Sequence, residues 1–238
     1  MSLPKVNQIE YGVELPISKQ KVKFHPFTVK EQRTLLLALE DGSAEVIGTA
    51  LINITQWCLL DEIDVKTLAG PDLEWLFLQI RMKSVGETSQ VRFTCEECDS
   101  PNDYEIDLTN VQLSEGDMEA GKIMLDDKVG MTLAPPSFGT VERLLEGKEE
   151  LDVETLFSLV GECVDNIFDE EFVHNRADFE EDELQVFIDS LSSENFDKIS
   201  AYFEQLPKLS YTVNYKCNKE GCGHENEVEL VGLANFFG

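Results

Sequence analysis

The chain has 238 residues, 42% of them hydrophobic, and its 47 acidic against 19 basic side chains give a formal net charge of −28. That length predicts one large globular domain or two modest ones, and the charge argues against a nucleic-acid or anionic-membrane surface, which needs a basic patch to displace counterions. No apolar run approaches the roughly 18 residues of a membrane span and residues 1–10 hold no apolar signal core; a soluble protein made in a cytosol is expected, where six cysteines read as metal ligands or core residues before disulfides.

Residues 11–15 and 21–24 alternate in polarity around Pro16 and predict a wide-turned hairpin with Val22 and Phe24 facing inward. Pro26 ends it. Thr28 and Glu31 form a capping box that starts a helix running to about Glu40, which Asp41-Gly42 stops. Ser43 caps a second helix carrying Val46, Ile47, Ala50, Leu51, Ile54, Trp57 and Cys58 on one apolar stripe. Cys58 is therefore expected in the core. A third helix begins at Asp72; Leu73, Trp75, Leu76, Phe77, Leu78, Ile80 and Met82 make it apolar nearly all round, as a buried central helix is.

Two similar stretches follow, far apart. Residues 91–108 contain Cys95-Glu96-Glu97-Cys98, and residues 213–230 contain Cys217-Asn218-Lys219-Glu220-Gly221-Cys222. Each reads as a strand, a tight turn with two cysteines, and a second strand. Between Cys98 and Cys217 lie 118 residues. Residues 122–125 and 130–133 predict another hairpin, broken by Pro135-Pro136. From 137 to 208 the pattern is helical and acidic, with sixteen acids between Glu142 and Glu183. One helix is expected from Asp152 with Val153, Leu156, Phe157, Val160, Val164 and Phe168 inward. A second spans 182–191, and a third, capped by Ser193, carries Phe196, Ile199, Tyr202, Phe203 and Leu206. The apolar end, Leu233 to Phe237, either packs down or anchors a partner.

The expected fold class is thus α+β: a core of β-hairpins and a zinc-ribbon-like unit with N-terminal helices, formed by residues 1–136 and 209–238, and an acidic helical insertion, 137–208, between the two ribbon halves. Zn²⁺ takes four thiolates in a tetrahedron, and a two-cysteine turn between strands supplies half of that shell. Cys95, Cys98, Cys217 and Cys222 are the expected metal ligands, with Gly221 and Gly223 giving the second turn its freedom. His224 is an alternative ligand, better placed beside the shell. A closed four-cysteine site leaves no position for substrate, so its Zn²⁺ would be structural, and closing so long a loop should couple folding to metal. A redox role for Cys95 and Cys98 lacks the surrounding βαβ pattern.

Nothing reads as an enzyme. His25, His174 and His224 fall in no triad or metalloenzyme pattern, and no phosphate-binding loop is present.

Several stretches carry a resemblance. They are Val13-Glu14-Leu15-Pro16 with Val22-Lys23-Phe24-His25-Pro26-Phe27-Thr28-Val29-Lys30-Glu31; the stretch from Asp72 to Glu87 with the cysteine hairpin after it; Asp126-Asp127-Lys128-Val129-Gly130-Met131-Thr132-Leu133; and Leu230 to Phe237. In order and wording they resemble the baseplate hub proteins of T-even-type contractile-tailed bacteriophages, a family of hub subunits and hub-assembly factors. The likeness covers about residues 11–136 and the tail, and little of 137–208. It implies a non-enzymatic protein acting in hub assembly, as assembly chaperone or hub subunit, in the cytoplasm of the infected bacterium or within the virion baseplate. Its partners would be other baseplate hub and tail proteins, met through the acidic insertion or the apolar tail, with no nucleic acid or membrane. The alternative from charge alone is a DNA mimic that inhibits a host DNA-binding protein, although here the acids are mixed with apolar stripes. A zinc-ribbon transcription factor is disfavoured by Glu96, Glu97, Asp99, Glu225, Glu227 and Glu229.

Overall fold

The computed structural model describes residues 7–114, 116, 121–145 and 152–236. Those residues hold seven α-helices and eleven strands in small antiparallel sheets, a mixed α+β architecture. They form two compact units, one of Met1–Val65, Pro71–Ser114 and Lys208–Gly238, the other of Lys66–Gly70 and Glu115–Pro207.

The first unit opens with β1 (Tyr11–Glu14) and β2 (Lys21–Phe24), paired with Tyr11 opposite Phe24. Alternation decides the faces: Val22 and Phe24 are buried and Lys21 and Lys23 exposed. Helix α1 (Val29–Asp41) starts at Thr28 through the reciprocal capping box with Glu31 and stops at Gly42, whose φ of 78° is the left-handed conformation expected after a helix. Ser43 caps α2 (Ala44–Cys58) by accepting from the Val46 amide. Ala50, Ile54 and Cys58 are buried as the stripe predicts, and Ile52 and Thr55 join them. Val46, 40% exposed, departs from it, and so does Trp57. Trp57 is 41% exposed, with the Lys30 ammonium 4.1 Å from its ring centroid, so its π-face meets a cation instead of the core.

Helix α3 (Gly70–Val85) is the buried helix that its composition requires: Leu73, Leu76, Phe77, Leu78, Ile80 and Met82 are all buried. Asp72 is buried with them. Its carboxylate accepts from the backbone amides of Ile17 and Ser18 at 2.6 and 3.0 Å, so the wide turn of the first hairpin supplies the donors that a buried carboxylate needs. Four further strands carry the cysteine turns: β3 (Thr88–Thr94) with β4 (Pro101–Asp107), and β10 (Leu209–Lys216) with β11 (Glu225–Val231). The short β5 (Gln112–Leu113) pairs with the start of β10. In the terminal segment Leu233 and Phe236 are buried, so the described part of the apolar tail packs down; Phe237 lies outside the described residues.

In the second unit β6 (Lys122–Met124) and β7 (Gly130–Leu133) form the hairpin read from the sequence, closed by the Asp126 carboxylate accepting from the Lys128 and Val129 amides. Helices α4 (Phe138–Leu145) and α5 (Val153–Cys163) follow, the latter capped by Asp152. The expected continuation of α5 through Val164 and Phe168 is corrected. Residues Val164–Phe168 form β8, antiparallel to β7, and β8 pairs with β9 (Val173–Asn175). A spacing of four residues satisfies both the helical and the strand period, and the free edge of β7 decides in favour of the strand. Gly130 lets Phe168 lie flat on β7, because a Cβ there would sit 2.3 Å from the ring. Helices α6 (Glu181–Asp189) and α7 (Ser193–Glu204) complete the unit; the cap of α7 is Ser192, one residue before the expected Ser193. Met131, Leu133, Val160, Cys163, Val164, Leu184, Ile188, Ile199 and Tyr202 form its core.

Candidate metal centre

The strands bring the cysteines together by ordinary hairpin geometry. In the first hairpin Thr94 faces Pro101 and Phe93 faces Asn102; in the second Lys216 faces Glu225 and Tyr215 faces Asn226. The turns between those pairs carry Cys95 and Cys98, and Cys217 and Cys222. Phe93 and Tyr215 stack with centroids 5.2 Å apart, Tyr104 tilts against both, and the Tyr215 hydroxyl donates to the Thr94 carbonyl at 3.1 Å. This aromatic contact seats one hairpin on the other.

All four sulfurs lie within 4.8 Å of one another. The cross-hairpin approaches are 3.9 Å for Cys95 to Cys222 and 3.7 Å for Cys98 to Cys217. A tetrahedral metal with bonds of about 2.3 Å sets its sulfurs about 3.8 Å apart. The group could therefore hold a metal ion, and its donor set is the soft, all-thiolate one that suits zinc. His224 stands outside it. That residue instead contributes its carbonyl, which accepts from the Cys217 amide at 2.8 Å.

Ser100 Oγ lies 2.9 Å from Cys98 Sγ and 3.4 Å from Cys217 Sγ. A hydroxyl donated to a thiolate favours the charged form. The Ser100 hydroxyl, followed by the Lys219 amide, holds the Cys217 thiol down at about 6, and Ser100 also lowers Cys98. The Cys222 thiol moves the other way, to about 12: the His224 amide pulls it down, but the neighbouring Cys98 and burial outweigh that pull. Four thiols so close cannot all ionise unless a cation shares the site. The two remaining cysteines differ in kind. Burial pushes Cys58 and Cys163 up to about 12, and both are small core residues.

Two residues at the centre escaped the reading of the sequence. Asn102 and Asn226 are buried, 2% and 3% exposed, with both side-chain amides engaged in the cysteine turns. A signal was present, since each stands four residues after the second cysteine of its pair. No local rule of strand or turn formation assigns an asparagine at that offset.

No curated protein and no solved structure matches the chain. A family model described as T4 bacteriophage base plate protein matches residues 7–238, nearly the whole length, including both cysteine hairpins and the acidic second unit. On that match the chain belongs to the T4 bacteriophage base plate protein family.

Proposed function

We propose that this protein acts in assembling the hub of a phage baseplate, as a chaperone or hub subunit, by contacts with other baseplate hub and tail proteins and without catalysis. The observation that carries the reading is the family match across the whole described chain. Helix α1 supports it. Val29, Leu36, Leu37 and Leu39 are between 45% and 82% exposed there, apolar side chains of the kind that a protein partner covers. The acids of residues 142–183 would confer solubility and repel DNA. Among the described residues no helix is long and apolar enough to cross a membrane. The protein would act in the infected bacterial cytoplasm and, as a subunit, in the virion baseplate. Co-expression with the hub genes of the same phage tests the reading. A stable complex with a hub protein is expected. Normal baseplates in a phage lacking this gene, together with no complex, would count against it.

The same reading gives the four cysteines one structural Zn²⁺, held by Cys95, Cys98, Cys217 and Cys222 as a clasp between hairpins from distant parts of the chain. The mutual approach of the four sulfurs supports it. Elemental analysis should find about one zinc per chain, as a four-thiolate shell requires; a chain purified under reducing conditions without zinc that also takes none up would overturn it.

A further inference from the structure

The two asparagines are related by a pseudo-twofold exchange. Asn102, on β4, accepts at Oδ1 from the amide of Asn218 at 2.8 Å and donates from Nδ2 to the carbonyl of Ser100 at 2.9 Å. Asn226, on β11, accepts from the amide of Glu96 at 3.1 Å and donates to the carbonyl of His224 at 3.1 Å. Glu96 and Asn218 each follow the first cysteine of a turn, and each is gripped by the asparagine of the opposite hairpin. Ser100 and His224 each stand two residues after the second cysteine. Their carbonyls also accept from the amides of Cys95 and Cys217, at 3.0 and 2.8 Å. Every one of these bonds joins protein groups to each other, and both asparagines are buried. Buried amides tied at both ends fix position closely, because releasing either end leaves a polar group unpaired away from water.

We propose that Asn102 and Asn226 are positioning residues of the metal centre: by gripping each other's cysteine turns they hold the four sulfurs in binding arrangement before a metal arrives. The proposal rests on the four-thiolate reading above and refines it. The metal-free chain keeps its hairpins together, and the asparagines set how tightly the metal binds. Groups that orient metal ligands in this way change metal affinity by about 10–100-fold when removed.

The experiment uses the full chain, stripped of metal under reducing conditions. Amide hydrogen exchange is read at Glu96 and Asn218, zinc affinity by competition with a chelator, and shell symmetry by the absorption bands of Co²⁺. In the metal-free wild type both amides should be protected at least about 100-fold over an unstructured peptide, since they lie in closed hydrogen bonds. Asn226→Ala should release the Glu96 amide and spare that of Asn218, and Asn102→Ala should do the reverse. Each variant should weaken zinc binding by about 10–100-fold while keeping one metal per chain and a four-thiolate cobalt spectrum. A merely stabilising role would speed both amides alike and leave affinity unchanged. Exchange of both amides at unstructured rates in the metal-free wild type would overturn the proposal and needs no variant to fold. So would zinc affinities within about threefold of wild type in both variants, well below the range expected for such groups. Failure of the wild type to take up zinc or cobalt while its amides stay protected would overturn the four-thiolate reading and the positioning role together, and is told apart from the other outcomes by that protection.

Discussion

In the first cysteine hairpin two residues separate Cys95 from Cys98, and the residue after Cys98, Asp99, takes a φ of 52°; in the second, four residues separate Cys217 from Cys222, and Gly223 at the matching place takes 64°. The sulfurs nevertheless converge within 4.8 Å. The two extra residues are absorbed inside the second turn, where the Cys222 amide donates to the Lys219 carbonyl and Gly221 takes a φ of 85°. Outside the turns the hairpins correspond position for position, with an aromatic opposite an asparagine in both. The difference shows which parts of a two-cysteine turn are free to vary. Its length and left-handed residue differ between the two; what recurs is the carbonyl two residues past the second cysteine, which accepts within its own hairpin, and the asparagine two residues beyond that, which grips the other hairpin. The hairpins also differ in charge control. Ser100 of the first serves one sulfur from each hairpin, and His224, at its place in the second, offers only backbone.

The largest effect should come from breaking the clasp outright. Cys95→Ala removes a fully buried sulfur, and we expect loss of stoichiometric zinc with a fall in Tm of roughly 10 °C or more, because a structural metal's binding energy is folding energy. Elemental analysis and calorimetry check it; Cys58→Ala, away from the cluster, should keep the zinc. Next comes the left-handed position after each second cysteine. Gly223→Ala forces a Cβ into that conformation and should destabilise by about 1 kcal/mol, whereas Asp99→Gly relaxes a side chain already bearing it and should be neutral or mildly stabilising. Denaturant unfolding of the pair reads the contrast, and equal losses would show that the turns are not equivalent. Of similar size, Ser100→Ala removes a hydroxyl serving two sulfurs and should weaken zinc by about 10-fold, lowering Tm by a few degrees because that binding energy is folding energy, measured by chelator competition and calorimetry. Smallest is Arg92→Ala. Arg92 pairs with Asp103 across the first hairpin, where the second has Asn214 opposite Glu227. The Arg92 hydrogen bond lowers the Asp103 carboxyl. A lowered acid contributes stability above its ordinary range and loses it as pH falls through the lowered value. Both side chains are about two-thirds exposed, so solvent and salt should screen the pair to nothing measurable at neutral pH.

Much of the fold was legible. The capping box at Thr28 and Glu31, the Asp126 turn and the alternation of Val22 and Phe24 are local signals, and local physics decides them. Val164 to Phe168 was misread because residues four apart satisfy two periods, and only the presence of β7 alongside settles which applies. Trp57 sits at a helical position that its hydrophobicity assigns to the core, but Lys30 on a neighbouring helix gives its ring a partner outside. Asp72, read as the opening residue of a helix, is a buried acceptor for the first hairpin's turn, a role that depends on where that turn falls. At the candidate site the four cysteines stood out in the sequence because each pair is local and of a rare residue type.

The sequence by itself determined the elements of this protein and the chemistry of its cysteine pairs, since spacing, capping and alternation act over a few residues. The tertiary structure decided what those elements do to one another. It brought the sulfurs of the two hairpins to one place, set Ser100 between them, and exchanged Asn102 and Asn226 across the junction. Those relations join residues more than a hundred positions apart, and what selects them is the cost of burying an amide without a partner.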